Sequence, residues 1–73
     1  QERAAEIMRA LAAGDDTIPA IVARVYAGLD PKLTAAAGRS TYAQLVELIE
    51  TGKVLCDGTP SLEARFRLSK GGG

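Results

Sequence analysis

The segment TAAAGRSTYAQLVELIETGKV, residues 34–54, decides the fold of this chain. Its apolar residues recur every three or four positions, which is the spacing of one face of a helix. That face comprises Gly38, Thr41, Tyr42, Leu45, Leu48 and Ile49. The opposite face comprises Ala36, Arg39, Ser40, Ala43, Glu47 and Glu50. Gly52 fits the position where a helix ends with a positive φ, and the apolar and β-branched residues after it predict a strand at 53–56.

The residues before this segment predict two shorter helices. The first spans residues 2–13 and ends at Gly14, and the second ends near Ala27 with Pro19 at its first position, where the missing N–H costs nothing. The apolar residues that carry the two patterns are Ala4, Ile7, Met8 and Leu11 in the first helix, and Ile18, Ile21, Val22 and Val25 in the second. Thr17-Ile18 is a candidate short strand between them.

The last part of the chain predicts a hairpin. Turn-forming residues fill 57–61, and in the strand candidate at 64–68 the apolar residues alternate with Arg65 and Arg67. The order of helix, short strand, helix, helix and two strands predicts an α+β fold, a small winged helix-turn-helix domain over residues 1–68. Residues 69–73 have nothing to bury, so we expect a disordered tail there.

Composition restricts where this domain works. A chain of 73 residues makes one small domain, and its nine basic and nine acidic residues cancel. It therefore has no general attraction to nucleic acid or anionic lipid. The single Cys56 cannot form an internal disulfide, no apolar run approaches the roughly 20 residues that span a bilayer, and no leader pattern opens the chain. We expect a soluble, cytoplasmic domain without a membrane partner.

The chemistry of the side chains predicts no active site. The chain has no histidine, and one cysteine with scattered carboxylates does not make a transition-metal site. Serine and threonine lack a histidine base, and no glycine-rich phosphate loop joins a strand to a helix. The sequence therefore predicts no catalytic residue, no cofactor and no metal ligand in this chain.

A particular string of residues resembles a known family. The string comprises Thr17-Ile18-Pro19, the run from Ile21 to Ala27, Asp30-Pro31, then Ser40, Ala43, Leu45 and Leu48, and Gly52-Lys53-Val54. It resembles the C-terminal winged-helix domain of metallo-β-lactamase-fold hydrolases, in the group of the lactamase-β-like endoribonuclease. The chain departs from that family at Thr41, where members commonly carry an apolar residue, and at Gln44, where they commonly carry histidine.

The resemblance implies an accessory role. The parent enzyme would hold a dinuclear zinc site in the preceding catalytic domain, on which this domain would pack while bordering the substrate entrance. The candidate packing face comprises Ala36, Arg39, Ser40 and Ala43, whose small residues let another backbone come close. The alternative is that this face is solvated and its alanines simply favour helix.

A second hypothesis is a winged-helix DNA-binding module of a transcription regulator. Arg39, Ser40 and Gln44 are of the types that contact base edges, but Glu47 and Glu50 on the same helix repel phosphate and weigh against DNA.

The wing offers Lys53, Arg65 and Arg67 as candidate contacts to a nucleic-acid backbone, for example RNA bound by the parent enzyme. The alternative is a solvated strand face whose charges discourage edge pairing.

Overall fold

The computed structural model describes residues 2–69. Its elements are α1 (Glu2–Ala12), α2 (Ile18–Val25), a 3-10 helix (Pro31–Leu33), α3 (Thr34–Glu50), β1 (Val54–Cys56) and β2 (Phe66–Leu68). The two strands pair antiparallel, with Leu55 opposite Arg67. Three helices followed by a two-stranded wing confirm the predicted winged helix.

The predicted tail begins inside the described residues. Ser69 is half-buried, and its N–H donates to the carbonyl of Lys53 at 3.0 Å, which extends the pairing of β1 and β2 by one residue. The rest of the predicted tail, residues 70–73, lies outside the described residues.

The short strand predicted at Thr17-Ile18 is reduced to one residue. Thr17 forms a single antiparallel bridge with Arg65, and next to it the N–H of Phe66 donates to the carbonyl of Asp16 at 2.8 Å. Assigning Ile18 to the strand was wrong, because Thr17 is the N-cap of α2 and its carbonyl accepts the N–H of Ile21 at 2.9 Å. Ile18 is therefore the first helical residue, and Pro19 is the second rather than the first.

The second helix ends two residues earlier than predicted. Tyr26 leaves the helical region with φ −111° and ψ 41°, although its N–H still donates to the carbonyl of Val22. Gly28 then turns the chain with a φ of +81°, a conformation that costs glycine little. The turn sends the chain through the 3-10 helix into α3.

The core lies where the three helices meet the inner face of the wing. Its buried apolar residues are Ile7, Ala10, Leu11, Ile18, Ile21, Val22, Ala37, Leu45, Leu48, Val54 and Phe66. The predicted inner face of α3 is confirmed, since each of its residues is buried or half-buried. Ala10 and Ala37 were not predicted to be buried, because alanine contributes little to a hydrophobic pattern. Cys56 is half-buried at the edge of the core.

The end of α3 fixes where the wing begins. The N–H of Gly52 donates to the carbonyl of Ile49 at 3.0 Å, and the N–H of Lys53 donates to that of Leu48 at 2.9 Å. This pair of bonds is a Schellman motif, and it requires the positive φ of Gly52, which is +81°. The chain therefore leaves the helix in a defined direction and enters β1 at once.

One polar side chain is buried in the core without a partner. Thr41 is 1% exposed, and its Oγ1 has no hydrogen-bond partner among the described residues. Replacing Thr41 by valine removes this hydroxyl at nearly constant shape. We therefore expect the free energy of unfolding to rise by about 1 kcal/mol. Chemical denaturation of both proteins measures the difference. A valine variant that is less stable would show that the hydroxyl is hydrogen-bonded in solution.

Candidate domain-packing surface

The outward side of α3 presents small residues and one cation. Ala36, Arg39, Ser40 and Ala43 are all exposed, as the sequence predicted. Gln44, named for the DNA hypothesis, is half-buried beside this face. A surface with small side chains allows the backbone of a neighbouring element to approach closely. The geometry is therefore suitable for packing against another domain.

Charge along α3 runs against the helix dipole. The first turn of α3 has no acidic residue and its last turn has no basic one, whereas Glu47 and Glu50 lie near its C-terminal end. Anions at a helix C-terminus are unfavourable, by about 0.3–1 kcal/mol each when exposed. Neither glutamate, nor Arg39, forms an ion pair within residues 2–69. The isolated domain thus gains nothing from this order of charges.

A second exposed surface, on α2, was not predicted. Pro19 and Ala23 are exposed four residues apart on one side of the helix, and Ala27 is exposed in the turn that follows it. Two open hollows flank Ala23, with volumes of about 530 Å³ and 320 Å³. The smaller hollow extends from Pro19 to Thr34 and so reaches the first residue of α3. The sequence gives no signal for this surface, because alanine fits exposed and buried positions equally well.

One large apolar side chain is exposed immediately before α3. Leu33, the last residue of the 3-10 helix, is 53% exposed, the highest fraction among the large apolar residues that the structure describes. Single exposed apolar residues are common. Here the 3-10 helix joins directly to α3, so Leu33 places a larger exposed apolar group at the start of that helix.

Two ion pairs hold the loop before α2. Asp15 binds Arg24 of α2, and Asp16 binds Arg65 of the wing at 2.8 Å. The hydrogen bond from Arg24 to the Asp15 carboxylate, together with the attraction of its charge, raises the pKa of Arg24 above its ordinary value. The loop is therefore bonded to the helix that follows it and to the wing.

The cations of the wing are mostly compensated. Arg65, immediately before β2, and Arg67 of β2 are both exposed, but each contacts a carboxylate, from Asp16 and Asp57 respectively. Exposed Lys53 has no ion pair in the part of the chain that the structure describes. Pairing reduces the positive charge available to phosphate, so the structure adds no support for the predicted nucleic-acid contact.

A metal site requires a cluster of ligand side chains, and a membrane span requires a long apolar helix. Between residues 2 and 69, no cluster of three or more His, Cys, Asp or Glu side chains is placed to hold a metal ion. Over the same range, no helix combines the length and apolar character needed to cross a membrane.

We expect the chain by itself to bind no stoichiometric zinc, because it has no histidine and one thiol. The measurement is metal analysis after removal of bound metal, reloading with zinc and dialysis. One zinc per chain after this treatment would contradict the prediction.

Comparison with known families agrees with the fold. The sequence model of a family described as "Beta-lactamase associated winged helix domain" matches residues 17–61. The chain belongs to this family. No curated protein and no solved structure matched the chain.

In this β-lactamase associated winged helix domain, the match begins at the N-cap of α2 and continues through α3 and β1. It therefore includes both helices that carry the exposed surfaces. By its description the family is associated with β-lactamase, which supports an accessory role.

Proposed function

We propose that this domain is the C-terminal accessory domain of a zinc-dependent metallo-β-lactamase-fold hydrolase, in the group of the lactamase-β-like endoribonuclease. It packs on the preceding catalytic domain, borders the substrate entrance and supplies no catalytic group. The observation that carries the proposal is the exposed small-residue face of α3 in a domain whose family is associated with β-lactamase.

The exposed surfaces support packing on another domain. Ala36, Ser40 and Ala43 leave room for a neighbouring backbone, and the apolar residues of α2 together with Leu33 would lose contact with water on docking. Removing apolar surface from water contributes about 25 cal/mol per Å², part of which offsets the entropy lost on association. Arg39 lies within this face and would make a charged contact.

The zinc of this proposal is not held by the chain. Zinc sites in proteins are built from histidine, cysteine and carboxylate ligands, and this chain has no histidine. The described residues also bring no suitable cluster together. The residues therefore do not fit a zinc site, and no step of the hydrolysis is assigned to them.

The reading frame upstream of Gln1 tests the proposal directly. We expect it to encode a His-x-His-x-Asp-His segment, which would supply zinc ligands for a catalytic domain. A reading frame without such a segment would overturn the proposal.

Binding between the two domains tests the assigned face. The catalytic domain and this chain would be produced as separate polypeptides, and their Kd measured by calorimetry. Ala43→Arg places a long charged side chain in the face and should weaken binding at least about tenfold. The control is Ala12→Arg, the same change at an exposed position of α1. Equal effects of the two substitutions would rule out the α3 face.

A further inference from the structure

We propose that the surface of the catalytic domain facing α3 has two charges of opposite sign, an acidic group opposite Arg39 and a basic group opposite Glu47. This inference rests on the proposed function, and it specifies the chemistry of the partner surface at the same face.

The positions of the two residues define the arrangement. Arg39 and Glu47 are each four residues from Ala43, so all three lie along one side of α3. With a rise of 1.5 Å per residue, the two charges are about 12 Å apart along the helix. This distance excludes a direct ion pair between them, since helical pairs form between residues three or four apart.

Within residues 2–69, neither Arg39 nor Glu47 forms an ion pair. The four ion pairs among residues 2–69 occupy arginines on α1, α2 and the wing, and none includes a residue of α3. Both Arg39 and Glu47 are exposed. Glu47 also lies in the last turn of α3, where an anion is unfavourable, so the stability of the isolated helix does not explain its position. An acidic group opposite Arg39 and a basic group opposite Glu47 would compensate both charges.

A protein surface complements a positive charge at Arg39 and a negative charge at Glu47 better than nucleic acid does. Phosphate has one sign of charge, so a backbone that approached Arg39 would be repelled by Glu47 and Glu50. A second copy of the chain would also have complementary charges. In a dimer with the two α3 helices antiparallel, Glu47 of one copy would lie opposite Arg39 of the other. The family's association with β-lactamase favours the catalytic domain as the occupant.

Charge reversal tests the proposal in the same two-polypeptide calorimetry. Arg39→Glu and Glu47→Arg should each weaken binding about tenfold or more, and the double variant should bind more weakly than either. Raising sodium chloride from about 50 mM to about 500 mM should weaken the unaltered pair and have little effect on Arg39→Ala combined with Glu47→Ala. Controls are Arg9→Glu and Glu63→Arg, at exposed positions outside α3. Circular dichroism melts establish that each variant folds.

Different failures have different meanings. If Ala43→Arg weakens binding while both reversals bind normally, the packing face is correct and the charge inference is overturned. If the unaltered chain does not bind the catalytic domain, the proposed function fails, and the inference fails with it. Sedimentation of the chain alone tests the second copy: a dimer that either reversal dissociates and the double variant restores would make a second copy the occupant and overturn the inference.

Discussion

Replacing Leu45 by alanine should lower the free energy of unfolding by about 2–5 kcal/mol. Leu45 is fully buried, on the inner face of α3 at the centre of the core. The variant loses the transfer energy of the missing atoms and leaves a cavity in a tightly packed interior. Small domains have about 5–15 kcal/mol of stability in total, so the loss is a large part of what holds this fold together.

Leu62→Ala is the matched control for this change. Leu62 is 43% exposed in the turn of the wing, so the same truncation should cost about 0.5 kcal/mol or less. Urea denaturation of the three proteins, with the midpoint and slope fitted separately, gives both differences. A loss below about 1 kcal/mol for Leu45→Ala would mean that the inner face of α3 is wrongly assigned.

Gly52→Ala should destabilise the domain by about 1–2 kcal/mol. The residue has a φ of +81°, where a Cβ is unfavourable, and it forms the end of α3. A Cβ added there would have no heavy atom of the surroundings within 4 Å, so the cost comes from the backbone conformation rather than from a collision.

The same substitution at Gly38 should have the opposite sign. Gly38 is in the interior of α3, where alanine favours the helix by about 0.5–1 kcal/mol relative to glycine. The new Cβ would be 3.6 Å from Cγ2 of Ile18, an ordinary van der Waals distance. Thermal melts of the two variants beside the parent provide the comparison. Changes of the same sign would contradict the backbone conformation assigned to one of these glycines.

Local pattern was sufficient to predict α3 and its end. The inner face around Leu45 follows from the spacing of its apolar residues, and Gly52 indicates the end of the helix by its type and position. Ile18 shows the limit. Its neighbour Thr17 is extended and is bridged to Arg65, a contact between distant parts of the sequence, whereas Ile18 already begins α2. Propensity cannot separate these states, because a β-branched residue suits both.

The candidate site was predictable on α3 and not on α2. The opposite side of α3 followed once its inner face was known, and Arg39 was placed correctly. Ala23 and Ala27 gave no signal, because only the packing of other elements decides whether an alanine is exposed. The ion pair of Arg65 with Asp16 was likewise hidden from the sequence, since it depends on how the wing folds back beside the loop before α2.

The bond between the N–H of Phe66 and the carbonyl of Asp16 has a consequence for motion. It gives β2 a neighbour on each side, so the base of the wing is braced against the helical part of the domain. Opening of that base requires the separation of β1 and of the Asp16 loop together. In the turn at 58–63 the hydrogen bonds that the structure describes are local, such as that from the N–H of Glu63 to Oγ of Ser61, so we expect the turn to open at lower cost than the base. A partner that displaces the base of the wing would therefore also displace the start of α2. A partner that contacts only the turn would change the conformation of the turn alone.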